Sequence, residues 1–338
     1  MERVRFGRTG LDVSRVALGG IPIMRRPLDD AADIVEEAIN LGINFIDTAN
    51  SYADSEVKIG AGIKGIPRED IILATKSGAK DKQTLSKHLD LSLKQLGVDY
   101  VDIYQLHNIL PSSHDIVFGP GGAFEGLTEA IAAGKVRFPG FSSHSVPFAI
   151  EIMREGVFDT VQLPFNYIDT MAEEEAIPLA KELDMGFIAM KPMGGGLLYD
   201  ASLSFRYLMQ FDSIIPDPGI EKIEEIREIV GIVESHQTLT DEDRAAIESL
   251  RKEMGSSWCH RCDYCQPCPQ GIPINSALSA RSFLKRYSLE QAWVWVGKAI
   301  EKARDCTECR ECVSRCPYGL DIPVLLKENV VYWETYSK

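Results

Sequence analysis

Eight cysteines stand in the last quarter of this 338-residue chain, as Cys259-x2-Cys262-x2-Cys265-x2-Cys268-Pro and Cys306-x2-Cys309-x2-Cys312-x3-Cys316-Pro. The preceding residues contain none. Thiols repeated at two-residue gaps suit metal ligation, and three in immediate succession closed by Cys-Pro point to iron–sulfur clusters. Paired C-x2-C also serves zinc, but a Cys-Pro ending adds nothing to a zinc site. A disulfide framework suits short exported chains, and MERVRFGRTG lacks an apolar signal core.

A second set of chemical groups lies in the first third: Asp47, Tyr52, Lys76 and His107. Together they could donate a proton to a developing oxyanion. A free phenol, with a pKa of about 10, exchanges protons poorly at neutral pH. A neighbouring ammonium lowers that value. Asp47 could hold Lys76, and His107 could orient a carbonyl oxygen while Tyr52 protonates it. His88, His114, His144, His236 and His260 lack such company, although His144 follows Ser142-Ser143 and His260 adjoins a cysteine of the first run.

These residues need elements to position them. Short apolar runs recur at Val16–Gly19, Asn44–Asp47, Ile71–Lys76, Val101–His107, Val136–Phe141, Val161–Phe165, Gly186–Lys191 and Ser213–Pro216. They are continuous rather than alternating, as in strands buried on both faces of a parallel sheet. Helical periodicity lies between them, at Asp29–Leu41, Lys82–Leu96, Glu125–Ala133, Val146–Glu155 and Glu173–Leu183. Eight such units predict a (β/α)8 TIM barrel, whose C-terminal strand ends form the active face; a doubly wound sheet, which needs a place where strand order reverses, is the alternative. Asp47, Lys76 and His107 fall at three successive strand ends. Val4–Val13 reads as a hairpin closing the barrel bottom. Thr240–Asp243 reads as a capping box opening a helix to about Met254, and Gly255-Ser256-Ser257 as a domain boundary. The expected domains are a barrel over 1–254 and a small, mainly helical iron–sulfur domain over 255–338. Ser288–Gln291 should cap a further helix reaching about Ala303. Gly60-x-Gly62-x-x-Gly65 fits a dinucleotide fingerprint, but it follows a helix-like stretch and is expected to be a helix C-terminal turn.

Asn44-Phe-Ile-Asp-Thr-Ala-Asn-Ser-Tyr52, Leu73-Ala-Thr-Lys76-Ser and Tyr104-Gln-Leu-His107 resemble the tetrad segments of the aldo-keto reductases. The similarity runs from about Val4 to Met254. It implies a barrel that binds NADPH or NADH and reduces aldehydes or ketones, with Asp47, Tyr52, Lys76 and His107 as the catalytic tetrad. It also implies cofactor contacts at Gly20, Ser142, Ser143, Gln162, Met190, Lys191, Gly194, Gly195, Gly219 and Lys222. Ser143 stands where an amide-bearing residue is common, and Met190 where many members stack a Tyr on the nicotinamide. Gly194–Gly196 could offer N–H groups to a pyrophosphate. Near the adenosine phosphate, Glu221 disfavours a 2′-phosphate and Lys222 favours one. The long stretch Asn108–Phe124, and Ile21–Met24, are expected to shape the substrate pocket.

The cysteine runs match the two-cluster ferredoxin pattern, in which the fourth Cys of each run ligates the other cluster. That pattern implies Cys259, Cys262, Cys265 and Cys316 around one [4Fe–4S] centre and Cys306, Cys309, Cys312 and Cys268 around the second. The first run departs from it, with a last gap of two residues. The whole resembles the aldo-keto reductase subset that carries a ferredoxin-like extension.

Composition bounds the rest. A net charge of −14 argues against nucleic acid, and no apolar run suggests a membrane span. Reduced thiolates imply a cytoplasmic protein. The expected function is nicotinamide-linked carbonyl reduction with clusters passing electrons to or from a redox partner protein. Hydride carries two electrons and a cluster one, so coupling needs a converter such as flavin, for which no motif is defensible. Two other readings stand: an electron-transfer or redox-sensing subunit whose barrel is a docking module, and a reductase with purely structural metal sites.

Overall fold

The computed structural model describes residues 1–255 and 257–337, so Ser256 of the expected boundary lies outside the described residues. All eight expected strands form. After the antiparallel pair β1 (Arg3–Phe6) and β2 (Leu11–Ser14) come β3 (Leu18–Gly19), β4 (Phe45–Asp47), β5 (Ile72–Ser77), β6 (Val101–Leu106), β7 (Val136–Ser142), β8 (Thr160–Pro164), β9 (Gly186–Met190) and β10 (Ile214–Asp217). The last eight pair in parallel in consecutive order. The edges meet: Ala17 N donates to Pro216 O at 2.9 Å, Gly19 N donates to Pro218 O at 2.8 Å, and Gly19 bridges Gly219. The sheet therefore closes into a barrel, and every residue of β5 and β6 is buried, the polar Thr75, Lys76, Ser77, Asp102 and Gln105 included.

The connecting helices are α1 (Leu28–Asn40), α2 (Ser55–Gly62), α3 (Lys82–Leu96), α4 (His114–Phe118), α5 (Ala123–Ala132), α6 (Val146–Arg154), α7 (Met171–Glu174), α8 (Ala176–Glu182), α9 (Ala201–Leu208) and α10 (Ile223–Glu234). The single helix expected over Glu173–Leu183 is two, broken at Glu175. α1 buries Ala31, Ile34, Val35 and Ala38 as one stripe, at the spacing of a single helical face. The expected hairpin plugs the barrel bottom: Phe6 and Val13 join Phe45, Ile72, Ile103, Ile188 and Ile215 in one core. Gly186 makes room for the plug, because a Cβ there would stand 2.4 Å from the Phe6 ring.

The glycines of the fingerprint-like segment differ from a simple C-terminal turn. Gly60 and Gly62 lie inside α2. A Cβ at Gly60 would meet Gln95 O of α3 at 2.5 Å, and one at Gly62 would meet Val35 of α1 at 2.6 Å. They permit close helix packing, and only Gly65, at φ +86°, makes the turn.

The residues divide into two compact units, Met1–Met193 with Asp200–Leu239, and Gly194–Tyr199 with Thr240–Lys338. In space, therefore, α11 (Asp241–Met254) goes with the second unit, whereas the sequence puts the boundary after it. Its capping box forms as expected: Asp243 N donates to Thr240 Oγ1 at 3.1 Å and Thr240 N to Asp243 Oδ2 at 2.8 Å. The second unit continues with α12 (Ile274–Leu278), α13 (Ala280–Arg286), α14 (Leu289–Ala292), a π-helical turn at Trp293–Gly297, α15 (Lys298–Ala303), α16 (Glu311–Ser314) and α17 (Ile322–Tyr336). Ser288 caps α14 as expected. α17 packs on α12, α13 and α15 over buried Ile274, Ala280, Ile300, Leu326 and Trp333. Among the described residues, no helix is long and apolar enough to cross a membrane.

Candidate active site and cluster-binding cysteines

Three parallel strand ends bring the expected tetrad to one rim. Asp47 ends β4 and Lys76 lies near the end of β5; both are 2% exposed. Lys76 Nζ donates to Asp47 Oδ2 at 2.5 Å and to Thr48 O at 2.6 Å. Tyr52 sits in the turn between β4 and α2, and Lys76 Nζ lies 5.4 Å from its ring centre. His107 follows β6, its N–H donating to Ser77 O. Its ring meets Tyr52 edge-on, with centroids 5.7 Å apart. Burial, reinforced by the Lys76 charge, pushes the His107 imidazole down to about 3, so it stands neutral at physiological pH. A neutral imidazole can donate a hydrogen bond to a carbonyl oxygen without competing for the proton of Tyr52.

The sequence reading missed one acid at this rim. Asp217, the last residue of β10, is 8% exposed. Gln162 of β8 donates from Nε2 to Asp47 Oδ2 at 3.2 Å and to Asp217 Oδ2 at 3.1 Å. Gln162 Oε1 is buried without a partner among the described residues. An acceptor of this kind fits the amide of a nicotinamide, which must donate two N–H bonds. Glu56 of α2 is a further buried acid; Thr75 Oγ1 donates to it at 2.6 Å, and burial raises its carboxyl above the ordinary range.

The other expected cofactor contacts are placed unevenly. Ser142 Oγ accepts from Asn108 N at 2.9 Å, and Ser143 Oγ donates to Ile109 O at 2.9 Å, so both hydroxyls hold the turn after β6. A Cβ on Gly20 would meet Ser55 Oγ at 2.8 Å, and one on Gly219 would meet Pro22 at 2.8 Å. Both glycines thus serve close packing whatever else they do. Met190 ends β9, and Lys191 beyond it has φ +59°. Lys222 caps α10 and is exposed. Around it the charge is acidic: Glu225 Oε2 accepts from Glu221 N and Lys222 N, and Arg25 is paired with Glu221. Gly194 and Gly195 belong to the second unit, where a Cβ on Gly194 would strike the Trp258 ring at 2.6 Å and Ser282 Oγ donates to Gly195 O at 3.4 Å. Asn108–Phe124 is not a free loop: it contains a 3-10 turn at Pro111–Ser113 and all of α4, whose His114 packs on Phe118 and Phe148. His144 does lie near, 3.1 Å from Asn108 Oδ1.

The thiols of the second unit form two quartets. Cys259, Cys262 and Cys265 line one hollow together with Cys316 of the other run. Cys312 lies in the field of Cys306, Cys309 and Cys268. Burial, with neighbouring thiols adding to it, pushes Cys259 up to about 11 and Cys265 up to about 12, and raises Cys262 and Cys312 as well. Thiolates there need a compensating cation, which the iron of a bound cluster would supply. Among the described residues, no three His, Cys, Asp or Glu side chains are gathered to hold a single metal ion.

The backbone of the two runs repeats. Arg261 and Asp263 have φ of +60° and +64°, and their counterparts Glu308 and Arg310 have +57° and +62°. Such left-handed residues turn successive N–H groups inward, as in the anion-holding nests of iron–sulfur sites. Each run then closes alike: Gly271 N donates to Cys268 O at 2.9 Å and Gly319 N to Cys316 O at 3.2 Å. Both quartets thus fit a cluster on donor type and backbone shape. His260 and Tyr318 stack at 3.6 Å beside the first hollow.

Comparison with known proteins agrees with this layout. Residues 16–204 match the aldo/keto reductase family and residues 258–321 match a 4Fe-4S dicluster domain. An uncharacterized oxidoreductase of Bacillus subtilis, YrpG, is 33% identical over 227 residues, covering 59% of this chain and 68% of its own. An NADH-specific methylglyoxal reductase of Escherichia coli is 29% identical, covering 59% and 69%. An aldo-keto reductase of Bacillus halodurans in its holo form superposes with a TM-score of 0.64 at 25% identity, covering 74% of this chain and 96% of that one. By sequence match and by barrel topology alike, the chain belongs to the aldo/keto reductase family and carries a 4Fe-4S dicluster domain.

Proposed function

We propose that this oxidoreductase reduces a small aldehyde or ketone, with Tyr52 as proton donor and NADH as the preferred source of hydride. The observation that carries the reading is the convergence at one rim of the Asp47–Lys76 ion pair, the Tyr52 ring 5.4 Å from Lys76 Nζ, and the neutral His107 ring against Tyr52. A bound nicotinamide would supply hydride to the carbonyl carbon. Gln162 Oε1 would accept from its carboxamide. His107 would hold the carbonyl oxygen, and Tyr52 would give it a proton, so that two electrons and two hydrogens reach the carbonyl. Lys76, fixed by Asp47, would offset the charge left on the phenolate. Domain roles follow this division, with reduction in the barrel and electron chemistry in the cysteine-bearing unit.

NADH is favoured by the loop after β10. A 2′-phosphate there would face Glu221, Glu224 and Glu225, and the nearby Arg25 is already committed to Glu221. The E. coli relative is NADH-specific and acts on methylglyoxal, which makes small dicarbonyls the first substrates to try. Eight thiolates that must stay reduced fit a cytoplasmic setting.

A second reading concerns the quartets. Cys265 lies in the field of Cys312, so the two quartets are neighbours, and Cys309 is exposed. This favours a one-electron relay that opens on a redox partner protein, running beside carbonyl reduction rather than through it. The test is an anaerobic assay of purified holoprotein with methylglyoxal and each cofactor, followed in the visible. NADH should support turnover at least about tenfold better than NADPH in kcat/KM. Equal use of both would overturn the preference, and no turnover of any carbonyl with either would overturn the reductase reading in favour of a docking or sensing barrel.

A further inference from the structure

Behind Lys76 the charges do not balance. Asp47 ends β4 and Asp217 ends β10, with β3 between them at the barrel closure. The β3 residue in register with Asp47 is Gly19. A Cβ there would come within 2.9 Å of Asp217 Oδ1, so glycine at this position leaves room for the second acid. Gln162 Nε2 donates to both carboxyl groups, at 3.2 and 3.1 Å. Among the described residues one ammonium faces them, and Lys76 has committed two of its three N–H bonds to Asp47 Oδ2 and Thr48 O. All four side chains are buried.

Two carboxylates beside one cation each disfavour the charge of the other, so near neutral pH one of them keeps its proton. Asp47 is the one bound to the ammonium. Asp217 lies within hydrogen-bonding reach of Asp47, yet among the described residues the Oδ1 atoms of both are buried without a donor. A proton on Asp217 supplies the missing donor. Burial first, and the Asp47 charge second, hold the Asp217 carboxyl well above its ordinary range. The charged groups acting on it are Asp47 and Lys76; β3 presents Gly19, β8 the neutral Gln162, and β9 pairs Met190 with it.

We propose that Asp217 is a positioning residue for carbonyl reduction: it stores a proton against Asp47 and, by releasing it to solvent as pH rises, adds negative charge behind Lys76 and extends the pH range in which Tyr52 donates. The inference rests on the reading of Tyr52 as proton donor. While Asp217 is neutral, Lys76 acts on the phenol with its charge offset by Asp47 alone. Once Asp217 ionises, a second negative charge opposes Lys76, and the phenol keeps its proton to higher pH.

The test is the pH profile of kcat/KM for NADH-dependent methylglyoxal reduction in the wild type, Asp217→Asn and Asp217→Glu. Asn is isosteric and never ionises, so the alkaline loss of reduction should move to lower pH by about half a unit or more, an approximately threefold lower kcat/KM on that limb. Glu should restore the wild-type limb. A merely structural acid would change stability and leave the limb where it is. An unshifted limb in an active Asp217→Asn protein overturns the inference and spares the tetrad; a wild type without turnover overturns both. If Asp217→Asn does not fold, Asp217→Ser carries the same test with the same expected shift.

Discussion

Tyr52 can work as an acid only if the groups around it are held in place, and at this rim hydrogen bonds and burial do that. Lys76 is locked between Asp47 and the Thr48 carbonyl, and His107 is kept neutral by desolvation and by Lys76. The histidine leaves a signature in stability. Its folded-state value is depressed to about 3 from 6.5. Between those values the unfolded chain binds more protons, so the contribution of neutral His107 is complete above 6.5 and is lost as pH falls toward 3. On acidification from neutral pH to about pH 4, the Tm of the wild type should fall more steeply than that of His107→Gln. Parallel curves would show that the imidazole titrates normally. Of the residues at this rim, the convergence of Asp47, Tyr52, Lys76 and His107 was legible because each sits at or just after an apolar run. Asp217 was not, because Pro-Asp-Pro-Gly reads as turn, which puts the end of the strand at Pro216, one residue short of the buried acid.

At the scale of elements, the barrel was legible because a strand buried on both faces has no polar alternation to confuse it; β9, Gly-Phe-Ile-Ala-Met, is the clearest case. Lys82–Leu96 was read to the residue because Asp81 caps its start and Gly97 its end. Long-range packing was not legible. Gly60 and Gly62 are small because α3 and α1 press against α2, and nothing local announces that. The hydroxyls of Ser142 and Ser143 point into the turn after β6 for the same kind of reason, since their partners, Asn108 and Ile109, lie on another strand's exit. The helix expected over Glu173–Leu183 breaks at Glu175, whose φ of −131° departs from helical geometry although its residue type does not forbid a helix.

For the molecule as a whole, the cysteine spacing carried more information than any other feature, because each run places three thiols in one quartet and its fourth in the other. Cys316 lines the hollow of Cys259, Cys262 and Cys265. Cys316→Ala and Cys262→Ala should therefore damage the same centre, leaving about half the iron and one shared low-temperature EPR signal in the reduced protein. Cys268→Ala and Cys312→Ala should spare the opposite signal. If Cys316→Ala instead matched Cys306→Ala, each run would hold its own cluster. The assignment of Thr240–Met254 and Gly194–Tyr199 to the second unit escaped the sequence, since both adjoin barrel elements along the chain.

The most direct test of the account is the rate of NADH-dependent carbonyl reduction by Tyr52→Phe in anaerobically purified holoprotein, beside its affinity for NADH measured by fluorescence. Loss of the general acid should lower kcat by about 10²–10⁴-fold while NADH binding stays within about twofold of the wild type. A variant that reduces the carbonyl at the wild-type rate would contradict the account, because proton donation at this rim would then not depend on Tyr52.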